Sequence, residues 1–405
     1  MSDLKFSNLL YSVDGKGTKF RIDNFIILFY TIYLVIALFG YTFINYIQIN
    51  ISTLFIYFIY VLFLYFGAFI GIRLKIDPLF PRRSVKINDS FVRKFLIMFG
   101  VLTLLIWLKF INEYGSIEAI IANAYNIREN TIGESESIIP LWLTYLSSME
   151  YAFFAILLIL FHRTKKHLGA IIYMFVIIIL SDLQTFGRIG ILFSIFSVIG
   201  WVIYTRKKIL TFKNFIYTFL LYNLLMLPRL IRGGFDNFSG TIDNYAAYFT
   251  VKISPYFYGF ISIYIYYFSS IFSFNQLFSV DIDHLYGFKN FAPLINILGR
   301  LFPFLSIQRV QLIETMAQIP FEYNIYSILG DIYIDFGFIG FFFLPIFFGF
   351  IIGCIFRING FFIDALKILL FAWIFFSPIY NCFSFGSFFI SFFFLVVLSV
   401  FFKES

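Results

Sequence analysis

Long uncharged apolar runs, separated by short polar or basic segments, repeat along the whole chain. They fall at Asn24–Tyr46, Ile51–Ile72, Phe95–Ile111, Leu141–Phe161, Leu168–Phe186, Ile189–Tyr204, Phe215–Leu227, Phe336–Phe356, Ala365–Tyr380 and Phe388–Phe402. A helix rises 1.5 Å per residue, so about 20 apolar residues cross a hydrocarbon core of ~30 Å. No water reaches that core, and a helix satisfies its own backbone there. The pattern predicts an all-α, polytopic helical integral membrane protein with about 10–12 transmembrane helices. It forms a single membrane domain over residues 1–405, with seven spans in 24–227 and three in 325–405.

Composition narrows the class. The chain is 61% hydrophobic and 13% charged, against about half and about a quarter in soluble domains. A soluble globular enzyme is excluded, and so is a disordered chain. Two Cys among 405 residues exclude a disulfide scaffold. The first 23 residues are polar, and the run that follows carries no small-residue cleavage site, so no removable signal peptide is expected.

Charge sets the expected orientation. With residues 1–23 in the cytoplasm, 21 of the 30 Lys and Arg fall on the inner side, whereas 15 of the 22 acidic residues fall outside or in the membrane. Both termini are therefore expected in the cytoplasm. The net charge of +8 is a topology signal and does not call for nucleic acid.

Two outer connections are long, Asn112–Pro140 and residues 228–324. Structureless connections of that size usually carry function. Within the second, Ser254–Val280 is uncharged and rich in Tyr and Ser. It reads as a membrane-dipping or interfacial segment, because Tyr favours the membrane–water boundary. A full crossing is the alternative, and the basic residues do not separate the two.

The outer basic residues are the first candidate chemistry. Six of nine are Arg (Arg128, Arg188, Arg229, Arg232, Arg300, Arg309), while Lys outnumbers Arg on the inner side. Guanidinium matches phosphate oxygens bidentately and keeps its charge. Arg188 lies in a Gly-flanked turn, and Arg229 and Arg232 follow Pro228 and precede Gly233-Gly234. These three should stand near the outer headgroups, where they would meet a lipid-linked pyrophosphate or ordinary lipid phosphates.

Four residues are candidate general bases. Glu150 lies within an apolar run, where a carboxylate usually lines a cavity or meets a partner. Asp331 and Asp335 are four apart and would share a helix face at the outer entrance of the Phe336 span. Asp335 has a second reading, as a cap on that span. His284 is the single outer His, in a surface loop. No zinc-type spacing, phosphate-binding loop, dinucleotide fingerprint or nucleophile elbow appears, so no metal or cofactor is expected. Asp281-Ile-Asp283 has the Asp-x-Asp form of some metal-dependent sugar transferases, a pattern that loops reach by chance.

One stretch carries a resemblance. Pro320-Phe321-Glu322-Tyr323-Asn324-Ile325-Tyr326-Ser327, followed by Gly330-Asp331-Ile332-Tyr333-Ile334-Asp335-Phe336-Gly337-Phe338-Ile339-Gly340, resembles the signature of bacterial oligosaccharide repeat-unit polymerases (Wzy-type O-antigen polymerases). That signature has an Asn-aromatic pair and an aromatic-x-Asp-Phe-Gly-x-x-Gly element entering a span. Ser327 stands where Thr is common. Arg229 and Gly240 are similar to an Arg-x10-Gly pattern of some members, but Arg300 and Arg309 have no such Gly. The overall plan of many spans with a large outer loop before the last few is also similar.

The resemblance implies a glycosyltransferase of the inner (plasma) membrane. It would move a glycan from undecaprenyl pyrophosphate to the non-reducing end of a new lipid-linked repeat unit of O-antigen or capsule. Arg188, Arg229 and Arg232, with Arg300 and Arg309, would bind pyrophosphate, and Asp335, Asp331, Glu150 or His284 would activate the acceptor hydroxyl. Partners would be membrane lipids, a chain-length regulator and the pathway's flippase. The alternatives are an O-antigen ligase with a lipid A-core acceptor, a lipid-linked oligosaccharide flippase, and a structural membrane subunit. A flippase should show two similar halves and mid-span basic residues, neither of which the chain displays.

Overall fold

A computed structural model of the protein describes residues 11–14, 17–41, 50–74, 83–85, 87–123, 140–184, 189–205, 267, 270–277, 282–301, 327–384 and 386–404. A short antiparallel hairpin of β1 (Tyr11–Asp14) and β2 (Gly17–Phe20) leads into α1 (Ile22–Tyr41). Then come α2 (Ile51–Arg73), β3 (Arg83–Val85), α3 (Asp89–Tyr114), α4 (Ile117–Ala122), α5 (Leu141–Ser147), α6 (Glu150–Thr164), α7 (Leu168–Gln184) and α8 (Ile189–Tyr204). Further along the chain are α9 (Ser270–Leu277), α10 (Ala292–Leu301) and α11 (Ser327–Phe336). A 3-10 turn at Gly337–Ile339 joins α11 to α12 (Gly340–Arg357), and α13 (Phe361–Phe376), α14 (Gly386–Phe401) and β4 (Phe402–Glu404) complete the chain.

The described protein is helical, and five of its helical stretches are long and apolar enough to cross a membrane: Ile22–Phe39, Ile51–Arg73, Asp89–Tyr114, Tyr145–Thr164 and Ser327–Arg357. The predicted run Phe215–Leu227 lies outside the described residues. Helices α7, α8, α13 and α14 have 16 or 17 residues, about 24–26 Å at 1.5 Å per residue. Val35, Phe39, Phe55, Phe58, Ile97 and Leu104 point outward. In water such a belt would drive association, whereas lipid solvates it.

Polar interruptions set the breaks. Asn88 caps α3 by accepting the Phe91 N–H at 2.9 Å, and Gly115, at φ 85°, ends it. Helix α3 therefore extends past the predicted Phe95–Ile111 at both ends. The span predicted to open at Phe336 begins nine residues earlier, at Ser327, because α11 is buried and continues through the 3-10 turn. Gly337, at φ 58°, takes the left-handed conformation that breaks the helix there.

Among the described helices, α2 and α12 pack most closely. Gly67 and Gly71 face a second Gly-x-x-x-Gly pair, Gly349 and Gly353. A Cβ at Gly349 would stand 2.1 Å from Leu64 O, and one at Gly67 2.2 Å from Ile346 O, so the backbones meet where no larger residue fits. Small residues allow this approach in lipid, where van der Waals packing holds helices together.

The helices gather two kinds of end. At one, β3 and β4 pair in parallel, Arg83 opposite Phe402 and Val85 opposite Glu404. Phe20 packs on Phe356 and Phe371 nearby. Asp364 accepts hydrogen bonds from Arg163 at 3.1 Å, Tyr204 at 2.9 Å and Lys367 at 3.1 Å, tying α6, α8 and α13. These are the basic segments grouped on one side by the sequence reading. The opposite ends of the same helices carry the other polar clusters.

Candidate functional site

The described part of residues 228–324 folds against α11. Leu285 N–H donates to Ile334 O at 3.1 Å and Tyr286 N–H to Asp335 O at 2.8 Å. The Asp335 carboxylate then grips the turn that enters α10. Its Oδ1 accepts the Lys289 N–H at 2.9 Å, and its Oδ2 accepts the Asn290 N–H at 2.7 Å and Asn290 Nδ2–H at 2.6 Å. Asp335 is fully buried. It does act as a cap, but on the 289–290 turn and not on the span after it.

Asp331, one helical turn earlier, faces the same segment, as the spacing of four predicts. Its Oδ1 lies 3.3 Å from Lys289 Nζ, and its Oδ2 accepts the Asn381 N–H at 3.0 Å. Both carboxylates are buried, and both lie in α11 near the start of the apolar stretch Ser327–Arg357. Asn290 joins the two: Nδ2 also donates to Asp331 O at 2.8 Å, and Oδ1 accepts Asn381 Nδ2–H at 2.7 Å. Trp373 Nε1–H donates to Asn381 Oδ1 at 3.2 Å. A buried network persists when its members are satisfied, and this one is nearly complete. Lys289, a quarter exposed, is its route to the surface.

His284 belongs to this cluster and not to a free surface loop. It is half-buried, with Nδ1 3.4 Å from Ile334 O and its ring edge-on to Tyr333. The left-handed Gly337 lies under it, where a Cβ would come within 2.7 Å of Nε2. The Asp and the two Gly of the Asp-Phe-Gly-x-x-Gly element thus each have a physical role. Asp335 holds the turn, Gly337 makes the break and the space for His284, and Gly340 packs where a Cβ would meet Ile332 and Phe336.

Polar contacts extend from here to α1 and α2 through the α13–α14 connection. Ile328 N–H donates to Ser377 O at 3.0 Å, and the Tyr30 hydroxyl lies 2.6 Å from Ser377 Oγ and 3.2 Å from Tyr60 OH. Ser270 of α9 donates to Pro378 O.

Glu150 lies in a separate cluster. It is the first residue of α6, after a break at Ser148–Met149, and it lies within the apolar stretch Tyr145–Thr164, where the apolar run placed it. Ser391 of α14 occupies that break, donating to Ser148 O at 2.5 Å and accepting the Ala152 N–H at 3.2 Å. Buried Glu150 accepts from Ser181 at 3.0 Å. Next to Ser181, Asp182 receives the Gly190 and Ile191 N–H groups at 3.1 and 2.7 Å, capping α8 where its dipole favours an anion.

The structure therefore brings Asp331, Asp335 and His284 together and leaves Glu150 apart. Arg128, Arg188, Arg229, Arg232 and Arg309 lie outside the described residues, as do Asp281 and the side chain of Arg300. The sequence reading missed Asn290, Asn381 and Asp182 and gave Lys289 no role. Asn381 and Asp182 had a signal, since each sits in or beside an apolar run where a polar group needs a partner. Among the described residues, no three His, Cys, Asp or Glu side chains converge as metal ligands. No protein-family model, curated protein or solved structure matches this chain.

Proposed function

We propose that this chain is a bacterial inner-membrane glycosyltransferase that polymerises lipid-linked oligosaccharide repeat units. In this reading it has ten or more spans, both termini in the cytoplasm and the 228–324 segment on the outer face. The growing glycan passes from undecaprenyl pyrophosphate to the non-reducing-end sugar of a new lipid-linked unit. One observation carries the reading: the residues that bear the polymerase resemblance, Asp331 to Gly340, hold His284 and Lys289 in one polar cluster at the end opposite the basic segments.

The chemistry needs two things. The acceptor hydroxyl must lose its proton as it attacks the anomeric carbon, which calls for one positioned base. The departing pyrophosphate must be stabilised, which fixed arginines do through charge and bidentate hydrogen bonds. We assign the second task to Arg188, Arg229 and Arg232, with Arg300 and Arg309 in support. His284 is the base of choice in the Asp331–Asp335 cluster, and Glu150 is the alternative. Asp335 is a positioning residue, since both its oxygens are occupied by donors of the 289–290 turn. Asp331 sets the Lys289 ammonium.

Deleting the gene in its host and resolving the surface glycan on a gel tests this. A lipid A-core carrying one repeat unit, with the ladder gone, is the expected result. A core with no repeat unit would contradict polymerisation and favour the ligase or flippase.

A further inference from the structure

The turn that Asp335 holds presents an exposed aromatic ring in a strained conformation. Tyr286 is 79% exposed and has φ 50°, in the left-handed region that a bulky side chain rarely adopts. Gly287 follows at φ 99°. The strain is sustained from beneath: Tyr286 N–H is bonded to Asp335 O, and the Asp335 carboxylate takes the amides of Lys289 and Asn290 further along the turn. Such over-determined strain concentrates at ligand sites. In the segment that leads into this turn, Asp283 is exposed and His284 half-exposed, so a carboxylate and an imidazole stand within three residues of the ring.

We propose that the Asp283–Tyr286 segment is a saccharide platform, on which the Tyr286 ring stacks on a sugar of the acceptor glycan while Asp283 accepts its hydroxyl hydrogen bonds. The proposal deepens the function given above and rests on it for the identity of the glycan. A pyranose ring presents polarised C–H groups on one face, which meet the negative face of an aromatic ring. Its equatorial hydroxyls point sideways and suit a carboxylate acceptor. A lipid headgroup is the competing occupant, because Tyr also anchors at interfaces. The exposed Asp283 speaks against it by repelling phosphate, and an interfacial anchor needs no strained backbone.

The test uses the full chain in lipid nanodiscs and, as probe, the host's repeat-unit oligosaccharide released from its carrier. Binding is read by saturation-transfer NMR and titration. Tyr286→Ala should weaken binding roughly tenfold or more, and Tyr286→Phe should keep it, since the ring supplies the stack. The ring is exposed, so its removal leaves the fold intact. Equal binding by the Ala variant, or no binding by the native protein, would overturn the platform. So would quenching of Tyr286→Trp fluorescence by brominated lipids without saccharide, which would assign the ring to headgroups. A separate polymerisation assay on the native protein keeps the two ideas apart: saccharide binding without polymerisation would sink the proposed function and leave the platform.

Discussion

Asn290 and Asp335 meet through a single carboxylate oxygen, which accepts both the backbone N–H of Asn290 at 2.7 Å and its side-chain amide at 2.6 Å. With Lys289 N–H on the other oxygen, the buried carboxylate serves three donors. Asp335→Asn would turn an amide group toward N–H groups that need acceptors. The expected cost is about 1–3 kcal/mol per buried donor left unpaired. Thermal unfolding in detergent should show the loss, along with a smaller folded fraction. An Asn variant of native stability and no activity would instead make Asp335 the base.

Asp331 and Lys289 should behave as a coupled pair. Lys289→Met leaves a buried carboxylate with only the Asn381 N–H, and Asp331→Asn leaves the ammonium without its counter-charge. Each single change is expected to destabilise by about 1–3 kcal/mol, the partial exposure of Lys289 holding the figure below that of a fully buried pair. The double variant should lose less than the sum, a difference that a double-mutant cycle on unfolding midpoints reads directly. Simple additivity would mean the pair does not interact.

The α2–α12 crossing should tolerate no side chain. Gly349→Ala and Gly67→Ala place a Cβ against backbone carbonyls, so the two helices would have to separate to admit it. Size-exclusion profiles should show loss of the folded species. Gly169→Ala in α7 is the control, because nothing lies within 4 Å of the added atom. It should be neutral, or more stable by up to about 1 kcal/mol from helix propensity.

Arg188→Lys and Arg229→Lys test the proposed pyrophosphate contacts. Lys keeps the charge but loses the bidentate fork, so activity should fall about 100-fold or more while insertion stays normal. Retained activity in both variants would remove the arginines from the chemistry.

The helices were legible because apolar runs of membrane length leave few other structures open to a chain. The Asp331–Asp335 pairing was legible too, since a spacing of four puts both on one helix face. Their partners were not. Lys289 and Asn290 lie more than 40 residues earlier, and Asn381 50 residues later than Asp331. Nothing local in the sequence announces such contacts. The break before Glu150 escaped for a similar reason, because it is satisfied by Ser391 from a distant helix. At Gly337 the signal was present in the residue itself, but its purpose emerges only with His284 packed above it.

The most direct test of the account is reconstitution of the purified protein in vesicles with a single substrate, the undecaprenyl-pyrophosphate-linked repeat unit. The account predicts a ladder of lipid-linked oligomers with release of the carrier pyrophosphate, and its loss in Arg188→Lys. Absence of any ladder, with transfer appearing only when a lipid A-core acceptor is added, would contradict it.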